Sequence, residues 1–397
     1  MTSPVPLSAT LRRTAWGLLA ALALTAVAGC TGSDDQPENA AAPQPEPSVA
    51  SSSAPATPSP TASASASQPP SAGGTTTASP TTALLAWKPL PGDPADTITT
   101  NGRWTLTIAA DGRSWRLTPA GKGPGRTFGA SAPRGERIMK AGLNGSFAVV
   151  VYGTEAGTRP ETAAVTDLGR QRTSTIDADA DAAPASDTSW SLYGTHLWYA
   201  TGGQGGTPYC LASADLDTGR SAVGWCADAH HGFTNITAAD GPTAMMTFDD
   251  ARPTSCRTLV TVSGEAQRPG NEITPVPGVP ACKGSQAVAL AGSTVWSMVP
   301  DEHRYQQIHV YASASDGGVT DLGLGVNNTL ARCGDSIFWA KNATGSAPAA
   351  LMRWDGSALT TAYETKGFLG QPLCAGDRIN IAESGTARDR QLTATVD

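Results

Sequence analysis

From residue 84 onward, apolar and polar positions alternate over short runs that break at glycine, the pattern of half-buried strands joined by tight turns. One unit recurs. A strand-like run ends in a glycine, and a second β-prone run begins two or three residues later. It reads Asn101-Gly102 before Trp104-Thr105-Leu106, then Asn144-Gly145 before Phe147-Ala148-Val149. It continues as Tyr193-Gly194 before His196-Leu197-Trp198, and Asp240-Gly241 before Ala244-Met245-Met246. The last three are Ala291-Gly292 before Val295-Trp296, Cys333-Gly334 before Ile337-Phe338-Trp339, and Ala375-Gly376 before Ile379-Asn380-Ile381. The glycines are spaced by 43, 49, 47, 51, 42 and 42 residues. A period of this size, with turn residues and short strands, predicts an all-β fold: a seven-bladed β-propeller of four-stranded antiparallel blades. Glycine supplies the positive φ of a tight hairpin between the first two strands (A and B), and the aromatic residue after it packs between blades.

The third unit shows the full assignment: strand A over 190–193, B over 196–201, C over 209–216 and D over 221–226, with the C–D turn at Thr218-Gly219. Related turns fall at Leu168-Gly169, Asp316-Gly317 and Asp355-Gly356, and no helical period of useful length follows residue 84. The last unit has residues for three strands only. The run Leu84 to Leu90 has no place in the first blade, so it is expected to supply the outer strand of blade seven and remove the open edge. Six- or eight-bladed propellers, or a pair of β-sandwiches, are the alternatives.

The N-terminal end has a different pattern. Arg12 and Arg13 precede the almost wholly apolar run Ala15 to Val27, which is too short for a bilayer of roughly 30 Å. It ends in Val27-Ala28-Gly29-Cys30, which resembles the lipobox of bacterial lipoproteins. The resemblance implies cleavage after residue 29, with Cys30 carrying the lipid (diacylglyceryl and palmitate chains). Residues 36–83 contain no aromatic residue, Lys or Arg and are dense in Pro, Ser, Thr and Ala. With nothing to bury, such a segment is expected to be disordered, reaching on the order of 150 Å if fully extended. The predicted organisation is therefore a signal peptide over 1–29, a lipidated linker over 30–83 and a propeller domain over 84–397. Export by the general or the twin-arginine route stays open, and the linker composition suits O-glycosylation.

Composition narrows the partners. The formal charge of −7 becomes −9 once residues 1–29, with two arginines and no acid, are removed. An anionic chain without a basic stripe is a poor match for nucleic acid. The expected partners are the membrane, through Cys30, and a protein or glycan ligand, with the protein a monomer.

Of the seven cysteines, six fall in the exported domain, where oxidation is expected. Cys210 and Cys226 lie equidistant from the C–D turn of blade three. Cys256 and Cys282 flank the Arg268-Pro269-Gly270 turn of blade four in the same way. Both pairs are predicted as cross-strand disulfides. Cys333 and Cys374 remain, at near-equivalent strand A positions of blades six and seven, and their bridge would join neighbouring blades. No C-x-x-C pair and no His at ligand spacing support a metal site.

Propellers commonly bind ligands on the face of the B–C and D–A loops. Here those loops carry Asp228, His230, His231, Asp249, Asp250, Arg252, Asp301, His303 and Arg304, the candidate binding face. The alternation Asp177 to Asp181 begins like a calcium loop, but Ala182 and Thr188 stand where Gly and the bidentate Glu are needed. There is no G-x-S-x-G elbow, P-loop or dinucleotide fingerprint, and no cofactor is expected.

The lipobox and the seven glycine–aromatic repeats together resemble actinobacterial-type lipoproteins with a Pro/Ser/Thr-rich linker and a C-terminal propeller. The resemblance implies a location on the outer face of the cytoplasmic membrane and a non-enzymatic binding or scaffold role, with a regulatory variant beside sensor kinases. The alternative is a carbohydrate-active propeller enzyme, a glycoside hydrolase or lyase, using carboxylates such as Asp249 or Asp301.

Overall fold

A computed structural model describes residues 75–397, apart from 122–124, 203–207, 240–241, 250–255, 264–269, 301–306, 386–387 and 397. The predicted signal segment, Cys30 and the linker up to residue 74 lie outside the described residues. The described part is a seven-bladed β-propeller with four antiparallel strands in every blade. In blade three the strands are Ser191–Tyr193, His196–Gly202, Tyr209–Asp215 and Arg220–Cys226, each within a residue or so of the expectation.

The turn chemistry explains the repeat. In blades three, six and seven the A–B hairpin closes across two residues, as in the pairs Tyr193↔His196, Cys333↔Ser336 and Ala375↔Arg378. Gly194, Gly334 and Gly376 begin those loops at φ of 55°, 58° and 66°, a region glycine enters without strain. The Asn144-Gly145 turn works otherwise. The Asn144 carboxamide oxygen accepts from the N–H groups of Ser146 and Phe147, both at 2.8 Å, and Gly145 keeps a negative φ.

Closure follows the predicted route. Lys88–Leu90 pairs antiparallel with Arg390–Thr395 and forms the outer strand of blade seven from the opposite end of the chain. The inner strand of that blade is split into Phe368–Leu369 and Leu373–Ala375, both paired with Arg378–Ser384. One boundary differs from expectation. Residues 76–83, assigned to the linker from composition, run along the propeller rim. Thr76–Thr77 adds a parallel fifth strand to blade five and Thr81–Thr82 another to blade six, before the chain enters blade seven.

Apolar burial is divided among the wedges between blades. Trp104, Leu117 and Val150 fill the wedge between blades one and two, and Phe147, Val165 and Tyr199 the next. Trp198, Phe233 and Met245 join blades three and four, and Leu259, Val276 and Trp296 join four and five. Val310, Trp339 and Trp354 join five and six, while Phe338, Ile379 and Leu392 join six and seven. Each aromatic ring of the repeat thus removes apolar surface from water on two blades at once.

All three expected disulfides form, with Cα–Cα distances of 3.9 Å for Cys210–Cys226, 4.2 Å for Cys256–Cys282 and 5.2 Å for Cys333–Cys374. Cys210 and Cys226 face each other across the hairpin, and Cys333–Cys374 bridges blades six and seven. The second pair departs from its expected register. Strand D of blade four is short, Ile273–Pro275, so Cys282 lies beyond it in the connection to blade five, at φ 61°. That bridge ties strand C to the D–A connection instead of to strand D.

Candidate functional site

The inner strands converge on the propeller axis, where side chains fasten each blade to the next. The Asn101 amide donates to the Asn144 carbonyl, and the Asn144 amide donates to the Gly194 carbonyl, both at 2.7 Å. The hydroxyls of Ser189 and Ser191 accept from the N–H groups of Ile236 and Ala238 at 2.9 Å. The Asn235 amide donates to the Ser285 carbonyl at 2.9 Å, and Gln286 exchanges two bonds with the Leu330 backbone. Cys333–Cys374 serves the sixth junction. At the seventh, Asn380 exchanges two bonds of 3.2 Å with the Thr100 backbone. Backbone groups left over at the inner edge of each sheet are satisfied by the neighbouring blade, which fixes the channel wall.

Within this ring lies a cavity of about 840 Å³, in the range of small-molecule sites. It is lined by strand A residues of blades two to seven and reaches the A–B turns at Gly145, Gly194, Gly334 and Gly376. The lining is mainly small and polar. Ser146, Ser191, Thr195, Asn235, Thr237 and Asn328 are among its hydroxyls and amides, and Tyr193 adds aromatic surface, with Trp190 buried behind it.

Its charged residues are few: Lys140, Arg332 and Asp335 among the described lining residues. Lys140 follows a bulge in strand A of blade two, where the register shifts between Ile138 and Lys140. An inserted residue of this kind re-aims the side chains beside it. The Lys140 side chain reaches channel solvent but is surrounded by the walls, and this lowers its ammonium below the usual lysine pKa. Arg332 is held differently. Its guanidinium donates to the carbonyls of Ala289 and Gly334, at 3.1 and 3.0 Å, and lies 5.8 Å from the Tyr193 ring centre. Blade six thereby touches blade three, three blades away around the ring. Asp335 lies 3.8 Å from Arg332 with its own side chain fully exposed.

Trp190 links the cavity wall to a buried acid. Its indole N–H donates to the Glu161 carboxylate at 2.5 Å, and its ring stacks on Tyr199 at 4.6 Å. Glu161 is 2% exposed at the start of strand C of blade two, and its own N–H donates to the Ala185 carbonyl. Burial pushes this carboxyl up to about 7. Asp187 adds to the rise, and the bonds from Trp190 and the Thr188 backbone oppose it.

The residues expected on the B–C/D–A face divide into two sets. Asp228, His230, His231 and Asp249 are described, whereas Asp250, Arg252, Asp301, His303 and Arg304 lie outside the described residues. His231 pairs directly with Asp249 across strands A and B of blade four. Its N–H donates to the Asp228 carbonyl, and His230 adopts φ 64° in the connection before it. None of these four lines the axial cavity. Asp177 closes an ordinary turn, accepting from the Asp179 N–H at 3.0 Å, and no cluster of three metal-ligating side chains occurs among the described residues. The cavity residues carry no sequence motif: Lys140 is one of two cations in a short strand, Arg137–Leu143. The Asn of each Asn-Gly turn was a visible signal, although its reach to the next blade was not.

No family model matches the chain, and no curated protein does. Solved structures do. A prolyl endopeptidase superposes with a TM-score of 0.52 at 11% identity, over 75% of this chain and 46% of that one. The β-propeller domain of the Trilobed protease from Pyrococcus furiosus gives 0.46 at 12% identity, covering 65% and 82%. An oligogalacturonate lyase in complex with manganese gives 0.42 at 11%, covering 79% and 98%. This chain spans under half of the endopeptidase, and at such identities what the likeness shows is the β-propeller fold.

Proposed function

We propose that this chain is an extracytoplasmic, lipid-anchored binding or scaffold module that holds part of a peptide, protein or envelope glycan in its axial channel. The observation that carries the reading is the channel itself: about 840 Å³, walled by interlocked blades and lined by small hydroxyl and amide side chains. Asp335 is the one carboxylate among its described lining residues, while glycoside hydrolysis by the usual route takes two carboxyls. Support for the compartment comes from the Ala15 to Val27 run ending at Cys30, and from three disulfides suited to an oxidising environment. Anchored to the membrane at Cys30, the propeller would stand off the surface on its Pro/Ser/Thr-rich tether.

Two measurements test this. A photo-reactive residue at Thr195, in the channel lining, should capture ligand in intact cells, and one at exposed Val223 on an outer strand should not. Equal capture at both positions, or none at Thr195, removes the channel as the binding site. Cys30→Ala should move the protein from the membrane fraction to the medium or leave it unprocessed. Unchanged membrane retention of correctly processed protein would end the lipid-anchor reading.

A further inference from the structure

The channel lining carries a charge balance opposite to that of the chain. Across the sequence Asp and Glu outnumber Lys and Arg by 34 to 27, yet two cations and one carboxylate line the cavity. Their surroundings separate the two cations. Arg332 has two of its donors directed at backbone carbonyls and its face toward Tyr193, so its guanidinium is fixed to the wall. Lys140 has no such partner among the described residues. No hydrogen bond or ion pair to a described residue holds it.

The Lys140 side chain is exposed to the channel, and an ammonium there with no counter-charge among the described residues is open to a charge-assisted bond from an anion that enters. The rest of the lining offers what the body of such a ligand needs. Ser, Thr, Asn and Gln side chains match the hydroxyl groups of a sugar, and the half-buried Tyr193 ring offers aromatic surface to one of its apolar faces.

We propose that the axial channel is a binding site for an acidic sugar, with the Lys140 ammonium as counter-charge to the ligand's carboxylate and the hydroxyl and amide lining holding its ring. The site approaches the A–B turns, so the ligand lies among the inner strands and is not held on the B–C/D–A face. This proposal rests on the channel-binding reading given above and narrows its ligand class. One source is a free sugar acid and the other is a uronate at the end of an envelope glycan; the carboxylate chemistry is the same.

Calorimetry on the full-length protein in detergent provides the test, with glucuronate, its neutral amide glucuronamide, a glucuronate-containing tetrasaccharide and inorganic sulfate as probes. Glucuronate should bind at least about tenfold more tightly than glucuronamide, the usual worth of one charge-assisted contact. Lys140→Gln should abolish that preference, and Lys140→Arg should keep part of it. Tighter binding of the tetrasaccharide than of glucuronate identifies a glycan end as the source, and the reverse identifies the free acid; both support the site. Equal binding of glucuronate and glucuronamide, or an unchanged preference in a folded Lys140→Gln protein, overturns the role of Lys140. Displacement of glucuronate by sulfate at equal concentration overturns the assignment to a sugar.

A second readout does not depend on any variant folding. Amine acylation should reach Lys140 at a lower pH than the exposed Lys88 and Lys366, and glucuronate should protect it. Identical labelling of all three lysines with no protection overturns the proposal. Because the Thr195 capture experiment reads occupancy by any ligand, its success beside failure here would leave the channel-binding reading intact.

Discussion

Two buried glutamates sit in inter-blade wedges on different sides of the propeller, and their surroundings push them in opposite directions. Glu161, between blades two and three, is 2% exposed, and Glu383, between blades six and seven, is 4% exposed. Around Glu161 the donors are neutral, the Trp190 indole and the Thr188 backbone, with the acid Asp187 close by. Burial prevails and the carboxyl rises to about 7. Around Glu383 burial pulls the same way, but Thr365, Tyr363 and the Arg390 guanidinium all donate to the carboxylate. Together they hold it below the usual range. Arg390 also donates to the Tyr363 hydroxyl at 2.9 Å, closing the network. At similar surface exposure the two carboxyls thus shift in opposite directions, and the difference lies in the donor set: Thr365, Arg390 and Tyr363 around Glu383, and no cation around Glu161. The difference suits the two locations. Blade seven is built from both ends of the chain and has an ionised network fixing strand Arg390–Thr395, against which Lys88–Leu90 closes the ring.

The comparison breaks most sharply at Glu383. Replacing it with Ala leaves the buried Thr365 hydroxyl and the half-buried Tyr363 hydroxyl without their acceptor and frees Arg390 from its anchor. The expected loss is about 2–4 kcal/mol in urea unfolding, from hydroxyl donors left unpaired and a charge-assisted bond removed, since the half-exposed Arg390 regains water. A loss under 1 kcal/mol would mean that the closing blade does not depend on this network.

Glu161 should behave in the reverse sense. Its folded value of about 7 lies above the ordinary 4.5, so the neutral acid stabilises the fold below pH 4.5, and that contribution fades as pH rises through 7. Glu161→Gln keeps an acceptor for the Trp190 indole without an ionisable group. It should match the wild type at pH 4 and exceed it by roughly 3 kcal/mol at pH 8.5. Parallel stability curves for the two proteins across that range would refute the buried-acid assignment. Glu383→Gln should not show the same gain at high pH, which keeps the two sites distinguishable.

A third change acts on the ring around the axis. Asn144 closes its own turn and reaches the Gly194 carbonyl, so Asn144→Ala removes three hydrogen bonds at one junction. A destabilisation of about 1–2 kcal/mol is expected, since most of the freed groups can turn to solvent. Asn144→Asp should recover the turn bonds but not the link to blade three, and its position between wild type and Ala measures that link alone.

How much of this was legible in the sequence depended on whether the cause was local. The blade count, the strands of blade three and the closing segment followed from glycines and aromatics a few residues apart, because hairpin geometry and inter-blade burial are set at those positions. Thr76–Thr77 and Thr81–Thr82 carry the same composition as the linker before them. Only the free edges at Thr320 and Thr360, far along the chain, turn them into strands. Cys282 was paired correctly, but its strand was misjudged, because strand D of blade four ends at Pro275. Glu161 follows a proline and reads as a loop acid; its burial depends on Trp190, 29 residues later. The axial cavity was legible least of all. Its lining comes from six blades, and Lys140 gains meaning only when five other strands surround it.

Exposed carboxylates provide the smallest and most discriminating test of the contrast. Asp355 opens the C–D turn of blade six, where its carboxylate accepts from the N–H groups of Ala358 and Ser357 and from the Ser357 hydroxyl. The Ala358 bond is the leading influence, and the group stays below the usual aspartate range although its side chain is in water. The sign is opposite to that of Glu161: its contribution is present above the ordinary aspartate value and lost as pH falls through the lower, folded one. Solvent screening limits the amount to a few tenths of a kcal/mol. Asp355→Asn should therefore change stability slightly at pH 7, and the difference should shrink as pH falls below the ordinary aspartate value. A larger effect from this exposed turn than from Glu383 would mean that hydrogen-bond count, and not burial with a cation, sets the worth of a carboxylate here.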